Sequence, residues 1–142
     1  MADILTKVER IARMADLRCQ RQDNLLMFGF DLGGGRNQTV AIGHMGETED
    51  GLNVIVFFSP CQRLSSGLMG GLSKGNSLSL LKHNADLPFG HFSIMQIGDH
   101  ETVCVRATQI LETMEVKEFE ANCRSVAQVA DAWEQKLGRN EF

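Results

Sequence analysis

The sequence contains two residue types, histidine and cysteine, that could bind a metal or act in catalysis. The histidines are His44, His83, His91 and His100, and the cysteines are Cys19, Cys61, Cys104 and Cys123. No H-E-x-x-H, C-x-x-C or zinc-finger spacing occurs among them. One grouping is left, because His91 and His100 could face each other across a β-hairpin with Cys104 nearby. Histidines on an edge strand are more often solvated, so we predict no metal site.

Other patterns that support catalysis or phosphate binding are also missing from the sequence. There is no tyrosine, and the acids Asp31, Glu47 and Glu49 resemble a surface cluster rather than a catalytic pair. The glycines at 33–35 and 67–75 match neither a dinucleotide loop nor a P-loop, and turns explain them better. The sequence therefore predicts a protein that is not an enzyme and binds no cofactor.

The overall composition limits the class of protein and its partners. The chain of 142 residues has a formal net charge of -4 and a pI near 5.5. This acidity argues against nonspecific nucleic-acid binding, which depends on clustered Lys and Arg. No apolar run is long enough for a membrane span, and the N-terminal residues lack the pattern of a secretory signal. We expect one domain, residues 1–142, in the cytoplasm, with reduced thiols.

The periodicity of apolar residues predicts eight elements in an α+β fold. The expected order is α-β-β-β-α-β-β-α, with an antiparallel sheet and helices packed on it. A helix over residues 3–18, with Asp3 as its cap, precedes strands at 25–32, 39–45 and 52–59. A loop over 60–75 follows, and the sequence suggests no role for its glycine-rich part, 66–75.

The second half of the chain begins with a short helix, stopped by Pro88. Its apolar face is predicted to carry Leu78, Leu81 and Ala85, with Leu80 beside them. Two strands joined at Gly98-Asp99 come next, and a long helix over 115–137, with Thr113 as a plausible cap, ends the order. Because the leucines at 78, 80 and 81 exceed what one sheet face can cover, we expect them to form a homodimer interface.

The first and third strands are apolar on both faces, which is unusual for a half-exposed sheet. We expect the long helix to cover one set of side chains, namely Phe28, Phe30, Val54, Val56 and Phe58. The other set would then lie on the outer face, and it comprises Leu25, Met27, Ile55 and Phe57. On a functional interpretation, these four bind an extended segment of a partner protein, with Leu5 and Ile11 as a wall. Alternatively, the first helix or a second subunit covers them.

Three segments of the second half resemble the type III secretion chaperone-like (Tir chaperone) superfamily. They are LLKHNADLPFGHFSI at 80–94, VCVRATQIL at 103–111 and FEANCRSVAQVADAWEQKL at 119–137. The order of elements is similar over nearly the whole chain. The resemblance implies a bacterial α+β protein, usually a homodimer, that binds extended segments of partner proteins without catalysis.

Three functional hypotheses follow from the sequence. The first is a noncatalytic, dimeric chaperone or adaptor, which the doubly apolar strands and the resemblance favour. The second is a small enzyme or metal-binding protein that uses the region of His91, His100 and Cys104. The third is a structural or regulatory domain that only self-associates.

Overall fold

The computed structural model describes residues 3–65 and 71–142. Within them, the helices are α1 (Ile4–Met14), α2 (Lys74–Asn84) and α3 (Val116–Lys136). The strands are β1 (Gln20–Gln22), β2 (Leu25–Gly33), β3 (Arg36–Glu47), β4 (Asn53–Arg63), β5 (His91–Ile97) and β6 (His100–Ile110). All strand pairs are antiparallel, in the order β1-β2-β3-β4-β6-β5. The predicted α+β order is confirmed, and the short polar strand β1 is an addition to it.

Helix α3 packs on one face of the sheet, which we call the inner face. The strand registers place Leu26, Ile42, Phe57 and Ala107 in one row across this face. The ring of Phe119 from α3 lies 6.0 Å from the ring of Phe28 and 5.5 Å from that of Phe57, measured between centroids. Apolar residues that recur at helical spacing form a stripe on α3, and it is buried at Phe119, Cys123, Val126, Ala130 and Trp133. This stripe therefore closes the core.

Helices α1 and α2 pack on the same side as α3. Leu5, Val8 and Ala12 of α1 belong to the core cluster that contains the inner-face strand residues. Helix α2 begins after Ser73, whose hydroxyl accepts a hydrogen bond from the amide of Asn76. Its other end is held by Asn84, whose side-chain amide donates to Phe92 O and accepts from Phe92 N. The amide of Asn84 thus pairs with the edge strand β5.

Two of the predicted helix caps are wrong. The side chain of Asp3 makes no cap hydrogen bond and instead pairs with Arg21 of β1, while the backbone oxygen of Asp3 accepts from the first turn of α1. Residues Leu111–Thr113 form a 3₁₀ turn, so Thr113 does not cap α3. Glu115 does so in a capping box with Glu118. The buried side chains of Leu111 and Met114 hold the 3₁₀ turn against the core and delay the start of the helix.

The turns agree with the sequence in two places and differ in a third. Gly98-Asp99 joins β5 to β6 as predicted, and the glycines at 33–35 all have positive φ in the turn between β2 and β3. The predicted loop at 60–75 is shorter than expected, because β4 continues to Arg63 and α2 begins at Lys74. Residues 66–70 of that loop lie outside the described residues. No helix in 3–65 or 71–142 is long and apolar enough to span a membrane.

Candidate functional site

The face assignment predicted for β2 is confirmed, since Phe28 and Phe30 are buried on the side of α3 and Leu25 and Met27 lie opposite, but the assignment predicted for β4 is wrong. The registers pair Met27 with Ala41 and Ala41 with Phe58, so Met27 and Phe58 share one face. Ile55 and Phe57 lie on the inner face and are completely buried, which excludes them from a partner site. Both strands are apolar on both faces, so only the register, which the sequence does not show, decides which residues lie together.

The face opposite α3, the outer face, carries an apolar surface that we call the outer patch. It consists of Leu25, Met27, Ala41, Val54, Val56 and Phe58. Leu25 and Val56 approach each other above Gly43, where an added Cβ would lie 3.0 Å from Leu25 Cδ2 and 3.8 Å from Val56 Cγ1. Leu25, Met27, Val54 and Phe58 are half-buried, whereas Ala41 and Val56 are buried, at 2% and 9% exposure. A glycine at position 43 thus allows the two larger side chains to meet.

No helix in the described chain covers the outer patch. The buried apolar residues of α1, α2 and α3 all belong to the core cluster on the inner face. This also corrects the wall predicted for the partner site, because Leu5 is buried in that core and Ile11 packs against it. Both residues are separated from the outer patch by the thickness of the sheet. Helix α1 therefore forms part of the core instead of a border to the patch.

One side of the outer patch is basic. The row that contains Met27, Ala41 and Phe58 continues through Arg106 on β6 to His91 on β5. Arg106 is half-buried, and its Nη2 lies 2.8 Å from Met45 Sδ on β3. A guanidinium beside apolar side chains can pair with a carboxylate while the apolar groups are covered. The patch therefore combines an apolar surface with a cationic margin.

The other side of the outer patch ends at a strand edge that is only partly paired. Strand β1 pairs with Leu25–Met27 alone, and no other described strand pairs with that edge of β2. A cleft of about 430 Å³ lies where the pairing between β1 and β2 ends. Its lining includes Arg18, Met27, Gly29 and Thr39. Unpaired backbone groups on a strand edge can bind an added strand. The geometry suits an extended peptide beside β2, with side chains turned onto the patch.

The predicted grouping of His91, His100 and Cys104 does not form. His91 pairs with Arg106 and His100 pairs with Ile97, so the histidines stand at opposite ends of the hairpin. At strand spacing, six positions of β5 (91 to 97) separate them by about 20 Å. Cys104 is fully buried, and this burial raises the pKa of its thiol to about 12. Among the described residues, no group of three or more His, Cys, Asp or Glu could hold a metal ion.

The three leucines predicted for a dimer interface occupy two different environments. Leu80 is buried in the core, at 5% exposure, so its predicted place in the interface is wrong. It is the residue through which α2 packs on the sheet. Leu78 and Leu81 are 49% and 67% exposed. Leu81 and the exposed Ile94 of β5 line one apolar cleft of about 250 Å³ between α2 and β5.

No protein-family model matches the chain, and no curated protein is significantly similar to it.

Proposed function

We propose that this protein is a noncatalytic chaperone or adaptor, similar to type III secretion chaperones, that holds an extended segment of a partner protein on the outer patch. The observation that supports this best is the half-exposed apolar surface beside the unpaired part of β2. A folded partner would cover the patch but leave the strand edge unused, whereas an extended segment can use both. Part of its backbone would pair with β2, and the segment would continue across the outer face, where its apolar side chains would cover Met27 and Phe58.

The energetics of the patch suit moderate affinity and broad sequence tolerance. Complete burial of a large apolar side chain stabilises a complex by about 1.5–3 kcal/mol, and half-buried side chains gain part of that amount. Met27 is unbranched and adapts to differently shaped neighbours. Arg106 favours a partner segment that carries a carboxylate next to its apolar residues. Such a surface selects a pattern of side chains instead of one sequence.

We also propose that the protein works as a homodimer in the cytoplasm. Leu78 and Leu81 present apolar surface on α2 next to Ile94, and a two-fold contact would cover the same surface on both copies. All four cysteines are free thiols. Free thiols are typical of a reducing compartment. The acidic net charge favours a protein partner over nucleic acid.

The test introduces carboxylates into the outer patch with Met27→Asp and Phe58→Asp together. Tagged wild-type protein and the double variant would be used to capture partners from the native cell, and the captured segment would be synthesised as a peptide. We expect the variant to remain folded and to bind that peptide at least about 100-fold more weakly, because charges would replace two apolar contacts. Calorimetric titration measures the affinity, and circular dichroism checks the fold.

Met14→Asp is the matched control, because Met14 is 68% exposed at the end of α1, away from the outer face. It should bind the peptide as the wild type does. Equal binding by a folded double variant would place the site elsewhere. Unfolding of the double variant would show that the outer patch belongs to the core, which would also refute the proposal.

A further inference from the structure

The residues that follow α3 fold back onto the sheet as a short strap, Arg139–Phe142. Arg36 Nη2 donates a hydrogen bond of 2.7 Å to the backbone oxygen of Arg139. The side chain of Asn140 donates to Gly35 O at 3.2 Å and accepts from Asn37 N at 3.4 Å. Asn140 therefore pairs with the start of β3 much as a neighbouring strand would. These contacts fix the first half of the strap.

Strand β4 holds the second half of the strap through one side chain. Arg63 forms an ion pair of 3.0 Å with Glu141, and its guanidinium lies 5.7 Å from the centroid of the Phe142 ring. The ion pair is partly exposed and contributes little by itself. The strap thus depends on contacts with β3, β4 and the end of α3.

Glu134 of α3 lies under the strap and is completely buried. Its Oε2 accepts a hydrogen bond of 2.6 Å from the backbone amide of Glu141, while its Oε1 has no partner. A buried carboxylate with one unpaired oxygen carries a large desolvation cost, which protonation removes. The strap therefore closes over a carboxyl group that is costly to keep charged.

The groups around Glu134 act in opposite directions on its pKa. Burial is the largest influence and raises the pKa, and Asp131 on the same helix also raises it. The backbone amides of Glu141 and Phe142 and the guanidinium of Arg36 lower it. Asp131 is itself paired with Arg36 at 2.8 Å, and from β4 the buried thiol of Cys61 lies close enough to be influenced by Glu134. The net effect is that the pKa of Glu134 is raised.

We propose that Arg139–Phe142 is a pH-operated strap, closed while the carboxyl group of Glu134 is protonated and released as that group ionises. The proposal does not depend on the partner site, which lies on the outer face. When the strap opens, water reaches Glu134 and the pKa of its carboxyl returns towards the ordinary value. The closed state therefore has the higher pKa. Its stability is complete at a pH below the ordinary carboxyl value and is lost as the pH rises through the raised pKa.

The test measures hydrogen exchange of the Glu141 amide by NMR, as a protection factor at each pH from about 4.5 to about 8. We expect protection to be lost as the pH rises in the wild type. Glu134→Gln, which cannot ionise, should keep the amide protected at every pH. Glu120→Gln removes a carboxyl group from the same helix, where Glu120 pairs with Arg124, and should keep the wild-type profile. Protection that is constant in the wild type, or lost equally in Glu134→Gln, would overturn the proposal.

A second variant covers the case in which Glu134→Gln does not fold. Asp131→Asn removes an acid that raises the pKa of Glu134 and frees Arg36 to lower it further. The loss of protection should then occur at lower pH than in the wild type. A transition at unchanged or higher pH would show that another group controls the strap.

Discussion

The two faces of the sheet carry similar residue types and differ in what covers them. On the inner face, Leu26, Phe28 and Phe57 are at most 1% exposed, because α3 lies across them. On the outer face, Leu25, Met27 and Phe58 come from the same strands and stay half-buried. The difference lies in the helices, since all three pack on one side. A doubly apolar strand in this protein thus contributes one face to stability and leaves the other available for binding.

The largest effect should come from truncating adjacent phenylalanines of β4 that point to opposite faces. Phe57→Ala would leave a cavity beneath Phe119 and should lower the free energy of unfolding by about 3–5 kcal/mol. Phe58→Ala removes a half-buried ring and should lower it by about 1 kcal/mol. Urea denaturation measures both values. Equal losses would mean that the two faces are equally buried and would remove the distinction between them.

The reactivity of the thiols gives a second test of the difference between the two faces, because each face carries a cysteine. Cys123 lies on α3 against the inner face and Cys104 on the outer face, yet both are fully buried, and burial raises the pKa of each thiol. Cys61 is buried as well, whereas Cys19 is half-buried. Because the thiolate is the reactive form, iodoacetamide should modify Cys19 alone in the native protein.

Mass spectrometry after timed alkylation would locate the modified residue. The rate at Cys19 should increase with pH beyond the ordinary thiol range, since burial, and then the charge of Glu9, raise its pKa. Unfolding in urea should make all four thiols reactive. If Cys104 were modified rapidly in the native protein, the outer face would be more open to solvent than its buried thiol indicates.

The smallest effect on stability should come from Leu81→Asp on α2. Leu81 is 67% exposed, so the free energy of unfolding of the monomer should change by no more than about 0.5 kcal/mol. The same change should dissociate the proposed dimer, and light scattering should then give the mass of the monomer, near 15.7 kDa. Leu80→Asp is the contrasting variant and should unfold the chain, because Leu80 is buried. A wild-type protein that is already monomeric would refute the dimer.

The sequence predicted the elements better than it predicted their faces. The stripe of α3 could be recognised because its apolar positions recur at helical spacing over many turns. The placement of Met27 and Phe58 on one face could not be recognised, because it depends on register between strands that are apolar on both faces. Leu80 was misplaced for a related reason, since three leucines in a short helix do not show which one faces the sheet. Strand β1 has no apolar residue, so no periodicity marked it.

The sequence also did not indicate that the carboxyl group of Glu134 is buried. It stands in α3 beside Trp133, among other charged residues, where a glutamate is normally solvated. The strap, which returns from the end of the helix, lies over it. The capping box formed by Glu115 and Glu118 resembles a known sequence pattern. The 3₁₀ turn before it places the start of α3 after Glu115 instead of after the predicted cap, Thr113.

The position of β6 between β4 and β5 has a consequence for how the chain folds. β1 to β4 can form a meander from local contacts, but β4 must wait for β6, which lies beyond α2 and β5 in the sequence. Pairings between distant segments form slowly, because the intervening chain has to be ordered first. During synthesis the meander therefore exists for a time with a bare β4 edge and with an inner face that α3 has not yet covered. A nascent chain with these exposed surfaces is prone to aggregation. The edge of β4, which is covered by β6 in the finished sheet, is therefore the part that needs protection earliest.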